Sequence, residues 1–258
     1  MIYGSNKHTT LSRRINNIGV LVLCLPLFAG VTVSCNKAES PTALSTQTKP
    51  SIEKKLRADS SYTYVDVNEK NSSTASPLGY WKKDLRFPQL RNISNSQTLT
   101  TVNESIKRLS DKYKCEKEGD QGFESEVTLA NPALFSFKYD AMWMCRAMPH
   151  PDSTVGAATY DLETGVELKL ANELLDKTTA DKLRGKVMSN FKALINEINK
   201  TGANCPAPSP GEIFYLKDGL LVFRASYAEH ADSACEVETG IALTEVKDFF
   251  KADSKLLH

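Results

Sequence analysis

Several functional signatures are absent from this 258-residue sequence. It contains no glycine-rich phosphate loop, no G-x-S-x-G nucleophile turn and no H-E-x-x-H motif. Nucleotide binding, serine hydrolysis of that type and zincin chemistry therefore have no support. No apolar run reaches the ~18 residues that a membrane-spanning helix needs. The formal net charge is only +1, which argues against a nucleic-acid partner because proteins of that class carry a basic patch.

The N-terminus has the pattern of an export signal. Residues 1–19 are polar and basic without an acidic residue, and an apolar stretch follows over residues 20–33. This order of segments, ended by a small residue, is typical of a secretory signal peptide. Ser34 directly before Cys35 resembles the lipobox of bacterial lipoproteins, whose cysteine carries lipid and becomes the first residue of the mature chain. The alternatives are a plain signal peptide cut nearby or a short membrane anchor.

The resemblance to lipoproteins implies a location and a domain organisation. Residues 1–34 would be the signal peptide, and Cys35 would be the lipid-bearing N-terminus. Asn36 in place of aspartate implies an outer-membrane destination, so we expect a lipid-anchored protein of the bacterial cell envelope that faces the periplasm. Residues 35–60 are rich in small and polar residues and are predicted to be a flexible tether. Residues 61–258 remain for a folded domain.

Four cysteines lie outside the signal and the lipidation site, namely Cys115, Cys145, Cys205 and Cys235. An even number in an exported chain predicts two disulfides, for which three pairings exist. We favour Cys115 with Cys145 and Cys205 with Cys235, because each pair lies within one local unit. Each bridge would close a loop of about 30 residues, worth roughly 3–4 kcal/mol by chain entropy. No C-x-x-C spacing is present, so these cysteines are not expected to bind a metal.

Alternating apolar residues predict a series of strands. Tyr62 and Tyr64 lie at strand spacing, where aromatic side chains are more often core than a carbohydrate-stacking platform with Tyr80 and Trp81. The predicted strands cover residues 61–67, 80–90 with an end at Pro88, 123–130, 134–145, 157–162, 166–170, 213–216, 220–225 and 236–244. Hairpin turns are predicted over residues 163–165 and 217–219, which contain glycine.

Apolar residues spaced three and four apart predict two long helices. The first begins at a capping box formed by Thr101 and Glu104. The second begins after Thr178 or Thr179 and stops before Gly202. A short helix over residues 245–250 and a frayed end over residues 252–258 complete the prediction. Because the strands come in antiparallel runs, we predict an α+β fold, with a mainly antiparallel sheet and helices packed on one face.

Two segments carry a family resemblance. Residues 160–168 (YDLETGVEL) and 214–223 (FYLKDGLLVF) resemble the two hairpins of the RsiV-like domain. The helix predicted between them is in the order found in that family, and the resemblance covers about residues 60–250. Its members include an anti-sigma factor whose external domain binds lysozyme, and peptidoglycan deacetylases. The resemblance implies an α+β binding or sensing module that faces the cell wall.

Two loops match the family pattern at single positions. The loop over residues 147–155 keeps the histidine and proline of a glycine-glycine-alanine-histidine-proline sequence without its glycines. The loop over residues 227–232 keeps a tyrosine and then departs from the pattern. Loops on a rigid scaffold commonly carry binding residues, so these two loops form the candidate binding site. Its residues are His150, Pro151, Asp152, Tyr227, Glu229, His230 and Asp232.

The expected function is that of a binding module without catalytic activity, cofactor or metal. The expected ligand is a protein such as a lysozyme-like muramidase, or peptidoglycan, and the N-terminal lipid would contact the membrane. One alternative is a hydrolase or metal-dependent enzyme in which the loops of His150 and His230 meet, with Glu229 as a helper. Another is a purely structural envelope lipoprotein.

Lipidation at Cys35 can be tested by mass spectrometry of the purified protein. We expect the wild-type chain, made in a bacterium, to lose residues 1–34 and to carry lipid on Cys35. The Cys35→Ser variant should carry no lipid, because serine offers no thiol for acylation. Cys24→Ser, inside the apolar stretch, is the matched control and should be lipidated like the wild type. An intact N-terminus in the wild type would contradict the lipoprotein interpretation.

Overall fold

A six-stranded sheet and a three-stranded sheet form the framework of the fold. This computed structural model describes residues 53–54, 62–72, 82–115, 119–209, 213–225, 227 and 235–257. The predicted signal peptide, Cys35 and most of the predicted tether lie outside these residues, as do Tyr80 and Trp81. In the described part of the chain, no helix combines the length and the apolar character needed to pass through a membrane.

The six-stranded sheet, called the large sheet below, is antiparallel except at one pair. In spatial order its strands are β1 (Glu53–Lys54), β2 (Thr63–Ser72), β3 (Lys82–Arg91), β4 (Gly119–Ala130), β5 (Leu134–Cys145) and β6 (Asp152–Asp161). The parallel pair is β3 and β4, and the helix α1 (Ser96–Asp111) lies in the crossover that such a pair requires. β1 falls within the predicted tether and pairs with β2.

The three-stranded sheet, called the small sheet below, comes from the second half of the chain. Its antiparallel strands are β7 (Phe214–Lys217), β8 (Leu220–Arg224) and β9 (Glu238–Ala242). The same half contains the helices α2 (Leu170–Glu173), α3 (Lys177–Lys200) and α4 (Leu243–Val246), and 3₁₀ turns at Lys247–Phe249 and Lys255–Leu257. The predicted α+β class, with mainly antiparallel strands, is confirmed.

Alternation along β5 separates the two faces of the large sheet. Phe135, Phe137 and Tyr139 point into an aromatic core under α1, and the residues between them point toward the small sheet. The apolar side of the small sheet is covered by α3. The buried residues of α3 are Leu183, Val187, Phe191 and Ile195. The layers therefore run α1, large sheet, small sheet, α3, with a long helix on the outer side of each sheet.

β3 continues through Pro88 to its end at Arg91, so the predicted strand end is wrong. Proline lacks an N–H and is tolerated in a strand only where that position faces away from a ladder. Pairing with β4 stops at Arg86. Beyond it, the side-chain amide of Asn103 on α1 bonds the N–H and the carbonyl of Leu90. Pro88 and Leu90 are two residues apart, so their backbone groups face the same side of β3. That side is covered by α1 at this point, so the missing N–H of Pro88 costs no hydrogen bond between strands.

α1 begins earlier than the predicted capping box, which is therefore wrong. Asn95 is the N-cap, and its Oδ1 accepts hydrogen bonds from the N–H groups of Gln97 (3.0 Å) and Thr98 (3.2 Å). Asparagine is among the strongest N-cap residues. It satisfies the free donors at the helix start and leaves Thr101 and Glu104 inside the helix.

α3 and the β7–β8 hairpin form where they were predicted. The cap of α3 is Asp176, which forms a reciprocal capping box with Thr179, so the threonine is the third helical residue instead of the cap. Gly202, with a φ of +94°, follows the end of the helix. In the hairpin, Asp218 and Gly219 both have positive φ, as a type I′ turn requires.

The second arm of the first predicted hairpin is nearly absent. Residues 166–170 contribute one isolated bridge, between Glu167 and Tyr160. The turn itself forms, since the N–H of Gly165 donates to the carbonyl of Asp161 over 2.8 Å. The arm ends early because the chain then enters α2.

The C-terminal segment packs against the domain instead of fraying, contrary to the prediction for residues 252–258. Ser254 and Leu256 are both buried. The hydroxyl of Ser254 donates to Glu173 Oε2 over 2.7 Å, and the N–H of Lys255 reaches the same oxygen over 3.1 Å. One glutamate on α2 thus holds a segment that is distant in sequence, a contact that local patterns do not reveal.

The two disulfides are Cys115–Cys145 and Cys205–Cys235, which is the pairing favoured from the sequence. The first joins the segment after α1 to the last residue of β5. The second joins the segment after α3 to the segment before β9. Each bridge therefore fixes a segment that leaves a helix to the end of a strand.

Gly156 on β6 tests how tightly the aromatic core is packed. The ring of Tyr139 lies over this glycine, and a Cβ at position 156 would lie 2.2 Å from Tyr139 Cζ. We expect Gly156→Ala to lower the free energy of unfolding by about 1–3 kcal/mol in chemical denaturation, because the ring must move.

Gly185 in α3 is the matched control for this substitution. A Cβ there meets nothing within 4 Å, so Gly185→Ala should stabilise by about 0.5–1 kcal/mol through helix propensity. Equal effects of the two substitutions would contradict the packing described for Tyr139.

Candidate functional site

The small sheet covers only part of the inner face of the large sheet. At one end of β5, Ser136 Oγ accepts a hydrogen bond from the N–H of Leu216 on β7 (3.1 Å). Further along, Asp140 pairs with Arg224 on β8 (2.7 Å). The next residue on this face, Met142, is 52% exposed. The inner face of the large sheet therefore opens to solvent beyond Asp140.

A cleft of about 520 Å³ occupies this open part and is the candidate functional site. Four strands of the large sheet, β3 to β6, contribute to its floor. Its wall comes from the connection between β8 and β9, through Ala225, Tyr227 and Glu236. Floor and wall thus belong to different sheets, and the position of the small sheet sets the shape of the cleft.

The cleft is strongly acidic. The carboxylates that line it are those of Asp84, Asp120, Glu124, Asp140 and Glu236, and Arg86 is the one cation among the described lining residues. Arg86 lies 3.3 Å from a carboxylate oxygen of Glu124 and 3.7 Å from one of Asp84. Outside the lining, Arg224 pairs with Asp140 and Lys70 lies 3.4 Å from Asp84, so the five carboxylates still outnumber these three cations. A concave site lined by one sign of charge concentrates the field and attracts ligands of the opposite sign.

Arg224 closes the inner end of the cleft and joins the two sheets. Its side chain is 6% exposed, and it pairs with Asp140 over 2.7 Å and with Glu238 over 3.1 Å. It also donates to the carbonyl oxygens of Tyr139 (2.9 Å) and Gly156 (3.3 Å) on the large sheet. A buried guanidinium is tolerated when its donors and its charge are satisfied in this way.

The pKa values of two glutamates beside Arg224 are shifted in opposite directions. Burial raises the pKa of Glu236, and the nearby carboxylates of Asp140 and Glu238 raise it further. Burial also acts to raise the pKa of Glu238. Hydrogen bonds from Tyr215 (2.6 Å) and Lys138 outweigh that effect and hold the pKa of Glu238 below its ordinary value. Glu238 is thus part of the network around Arg224, whereas Glu236 lines the cleft.

The wall of the cleft is anchored by the second disulfide. The hydroxyl of Tyr227 donates a short hydrogen bond to the carbonyl of Cys235. Cys235 is bonded to Cys205, and the side chain of Asn199 near the end of α3 bonds the N–H (2.8 Å) and the carbonyl of Cys205. Tyr227 is therefore held to α3 through a chain of specific contacts.

The structure separates the first predicted loop into two parts. His150 and Pro151 are exposed and do not line the cleft. Asp152 accepts a hydrogen bond from the N–H of Ser153 (2.8 Å) and starts β6. Ser153 and Val155, which follow it, do line the cleft. The end of the predicted loop that enters β6 therefore lines the cleft, whereas its histidine does not.

The second predicted loop is described only at Tyr227, which lines the cleft. Glu229, His230 and Asp232 lie outside the described residues. Within the part of the chain that is described, no three His, Cys, Asp or Glu side chains are grouped so as to hold a metal ion. Tyr62 and Tyr64 are buried in the aromatic core, as was predicted for them.

Most of the residues that line the cleft were not identified as site residues from the sequence. Asp84, Glu124 and Asp140 each lie next to a buried apolar residue of the same strand, namely Leu85, Phe123 and Ala141. In an alternating strand, the neighbours of core positions lie together on the opposite face. Charged residues at these positions in three neighbouring strands were the available signal.

Comparisons with known proteins identify the fold. No family model matches the sequence, and no curated protein matches it. A member of the DUF3298 family from Bacteroides fragilis NCTC 9343 has a similar structure, with a TM-score of 0.56 and 13% identity. A DUF3298 family protein from Pseudomonas aeruginosa PAO1 is also similar, with a TM-score of 0.54 and 12% identity. In both comparisons the match covers 77% of this chain and 97% of the other.

Arg224→Met tests whether the guanidinium holds the sheets together. We expect the free energy of unfolding at pH 7 to fall by about 2–3 kcal/mol, because Glu238 loses its buried partner and two carbonyls lose a donor. Arg86→Met is the matched control on the exposed floor and should change stability by less than about 1 kcal/mol. Similar losses in the two variants would contradict this role of Arg224.

The difference in the free energy of unfolding between the wild type and Arg224→Met should depend on pH. Because the pKa of Glu238 is lowered in the folded protein, its contribution is present above its unfolded pKa of about 4.3 and is lost as the pH falls through the folded value. The difference between wild type and Arg224→Met should therefore shrink at acid pH.

Proposed function

We propose that this chain is a binding module of the bacterial cell envelope, anchored by lipid at Cys35, that holds a basic protein in the acidic cleft. The observation that carries the proposal is the cleft itself, whose described lining residues include five carboxylates and one cation, with Arg224 and Lys70 pairing with two of these carboxylates from outside the lining. The fold shared with bacterial DUF3298 proteins and the resemblance of the two hairpins to the RsiV-like domain support it.

The arrangement of the carboxylates favours a protein over a single metal ion or a small cation. Asp84 lies on β3, Glu124 on β4 and Asp140 on β5, while Glu236 lies on the wall. The acidic groups thus follow the floor across three strands, and among the described residues they do not converge on one point. A ligand with several positive charges spread over its surface complements such a pattern.

A lysozyme-like muramidase is the first ligand to consider. Lysozymes of the c-type are basic proteins, and the RsiV-like resemblance includes Tyr227 in the wall of the cleft. Peptidoglycan, the other expected ligand, carries carboxylates in its peptide stems, and the negative floor would repel them. The charge of the cleft therefore favours the protein.

The enzyme hypothesis gains no support from the described residues. It needs the loops of His150 and His230 to meet, but His150 lies outside the cleft and His230 lies outside the described residues. The disulfides fix Cys145, which ends β5, and Cys235, which precedes Glu236 in the wall of the cleft. That construction is typical of recognition.

Binding of a basic c-type lysozyme to the immobilised full-length chain tests the proposal. We expect retention at low ionic strength that weakens with salt, together with inhibition of lysozyme activity. The double variant Glu124→Lys and Glu236→Lys should weaken binding by about tenfold or more, because it reverses two charges of the cleft.

The matched control is the double variant Glu104→Lys and Glu197→Lys. It changes the net charge by the same amount at two exposed helical positions outside the cleft, so it should bind within about twofold of wild type. Absence of retention, or equal weakening by both double variants, would count against the cleft as the lysozyme site.

A further inference from the structure

β6 is the last strand of the large sheet, and half of its outer edge is covered. Its inner edge pairs with β5 along its whole length. On the outer edge, the carbonyl of Thr159 accepts from Leu168 (2.7 Å) and the N–H of Asp161 donates to Val166 (3.0 Å). These bonds show that odd-numbered residues of β6 direct their backbone groups outward, because both groups of a strand residue face the same neighbour.

The other half of this edge, from Ser153 to Ala157, is open in the sense that no described strand other than β5 pairs with it. The N–H of Ser153 is bonded by Asp152 Oδ1, and the carbonyl of Val155 receives only a long bond, 3.4 Å, from the hydroxyl of Thr154. Among the described residues, no backbone partner outside β6 bonds the N–H groups of Val155 and Ala157. At these two positions the described part of the sheet therefore ends in N–H donors that an added strand could use.

This open half lacks the usual protection of an edge strand. Natural sheets commonly protect such edges with lysine, proline, a bulge or a covering segment. Residues 152–158 (DSTVGAA) contain neither lysine nor proline, and their pairing with β5 has no register shift. The stretch from Ser153 to Ala157 is regular and carries no charged residue, and an edge of this kind is suited to strand addition.

The open edge also borders the acidic cleft, which identifies the kind of segment that fits it. Ser153, Thr154 and Val155 line the cleft, and Asp140 lies directly beside Val155 on the neighbouring strand. A strand added to β6 would direct every second side chain over this floor. Positive side chains at those positions would extend across β6 toward Asp140, the floor carboxylate on the neighbouring strand.

We propose that the partner of this module adds an extended basic segment to β6 as an outer strand, between Ser153 and Ala157, with its lysine or arginine side chains over the cleft. This inference rests on the proposed function and specifies its mode of recognition. Backbone hydrogen bonds would provide the register, and the carboxylates would select the sequence.

Amide hydrogen exchange of the full-length chain, followed by NMR, tests strand addition. The probe is a synthetic peptide in which arginine and valine alternate. We expect the amides of Val155 and Ala157 to exchange quickly in the free chain and at least about tenfold more slowly with the peptide bound. The amide of Ala158, which faces β5, is the internal control and should be protected in both states.

Two substitutions at position 157 distinguish the contribution of the backbone N–H to peptide binding from that of the side chain. Ala157→Pro removes an outward N–H from an edge position where proline is tolerated, and we expect it to weaken peptide binding by about tenfold. Ala157→Ser keeps the N–H and should bind like the wild type. If Ala157→Pro does not fold, the exchange experiment on the wild type still decides the matter.

Several outcomes would overturn the inference. One is peptide binding without protection of Val155 and Ala157, and another is no binding at all. Protection of both amides in the free monomer would assign the edge to another segment of this chain. Protection that appears only with dimer formation would assign it to a second copy. The proposed function fails separately, through the lysozyme experiment with the cleft variants.

Discussion

One buried guanidinium determines how the two sheets meet, and the site depends on that contact. Arg224 reaches from β8 to two carbonyls and one carboxylate of the large sheet, while Glu238 holds it from within the small sheet. Removing a guanidinium from water is costly unless each donor finds an acceptor. Because the acceptors come from both sheets, only one relative position satisfies them all. The wall of the cleft is therefore fixed relative to its floor.

The cleft exists because the small sheet is too short to cover the large one. β5 has 12 residues and β8 has 5, which correspond to lengths of about 40 Å and about 16 Å. The covered part of β5 carries Ser136, which is fully buried, and the uncovered part carries Met142, which is exposed. The opposite face carries four aromatic residues, which are Phe135, Phe137, Tyr139 and Trp143. One face of the large sheet thus provides the stability, and the uncovered half of the other face is available for binding.

Local chemistry could be predicted from the sequence, whereas contacts between distant segments could not. The turn at Asp218 and Gly219 needs only its own backbone angles, and the disulfide pairing was favoured because each pair lies within one local unit. By contrast, Pro88 is tolerated because Asn103 of α1 covers the edge beside it, which depends on where the helix lies. The cleft could not be predicted for the same reason, since its lining comes from five separate segments. The one local indication of the cleft was the alternation of charged residues such as Asp140 with buried apolar residues along the same strand.

The two disulfides lie near the cleft, and the second is also part of the hydrophobic core. Cys145 ends β5 just beyond the open part of the sheet, and Cys235 precedes Glu236 in the wall of the cleft. A loop that is ordered before binding loses less conformational entropy when the ligand arrives. Carboxylates held on such a frame also keep their mutual repulsion in the free protein, and the basic partner that we propose would relieve it. The charges that slightly destabilise the isolated fold would then become a favourable term for binding.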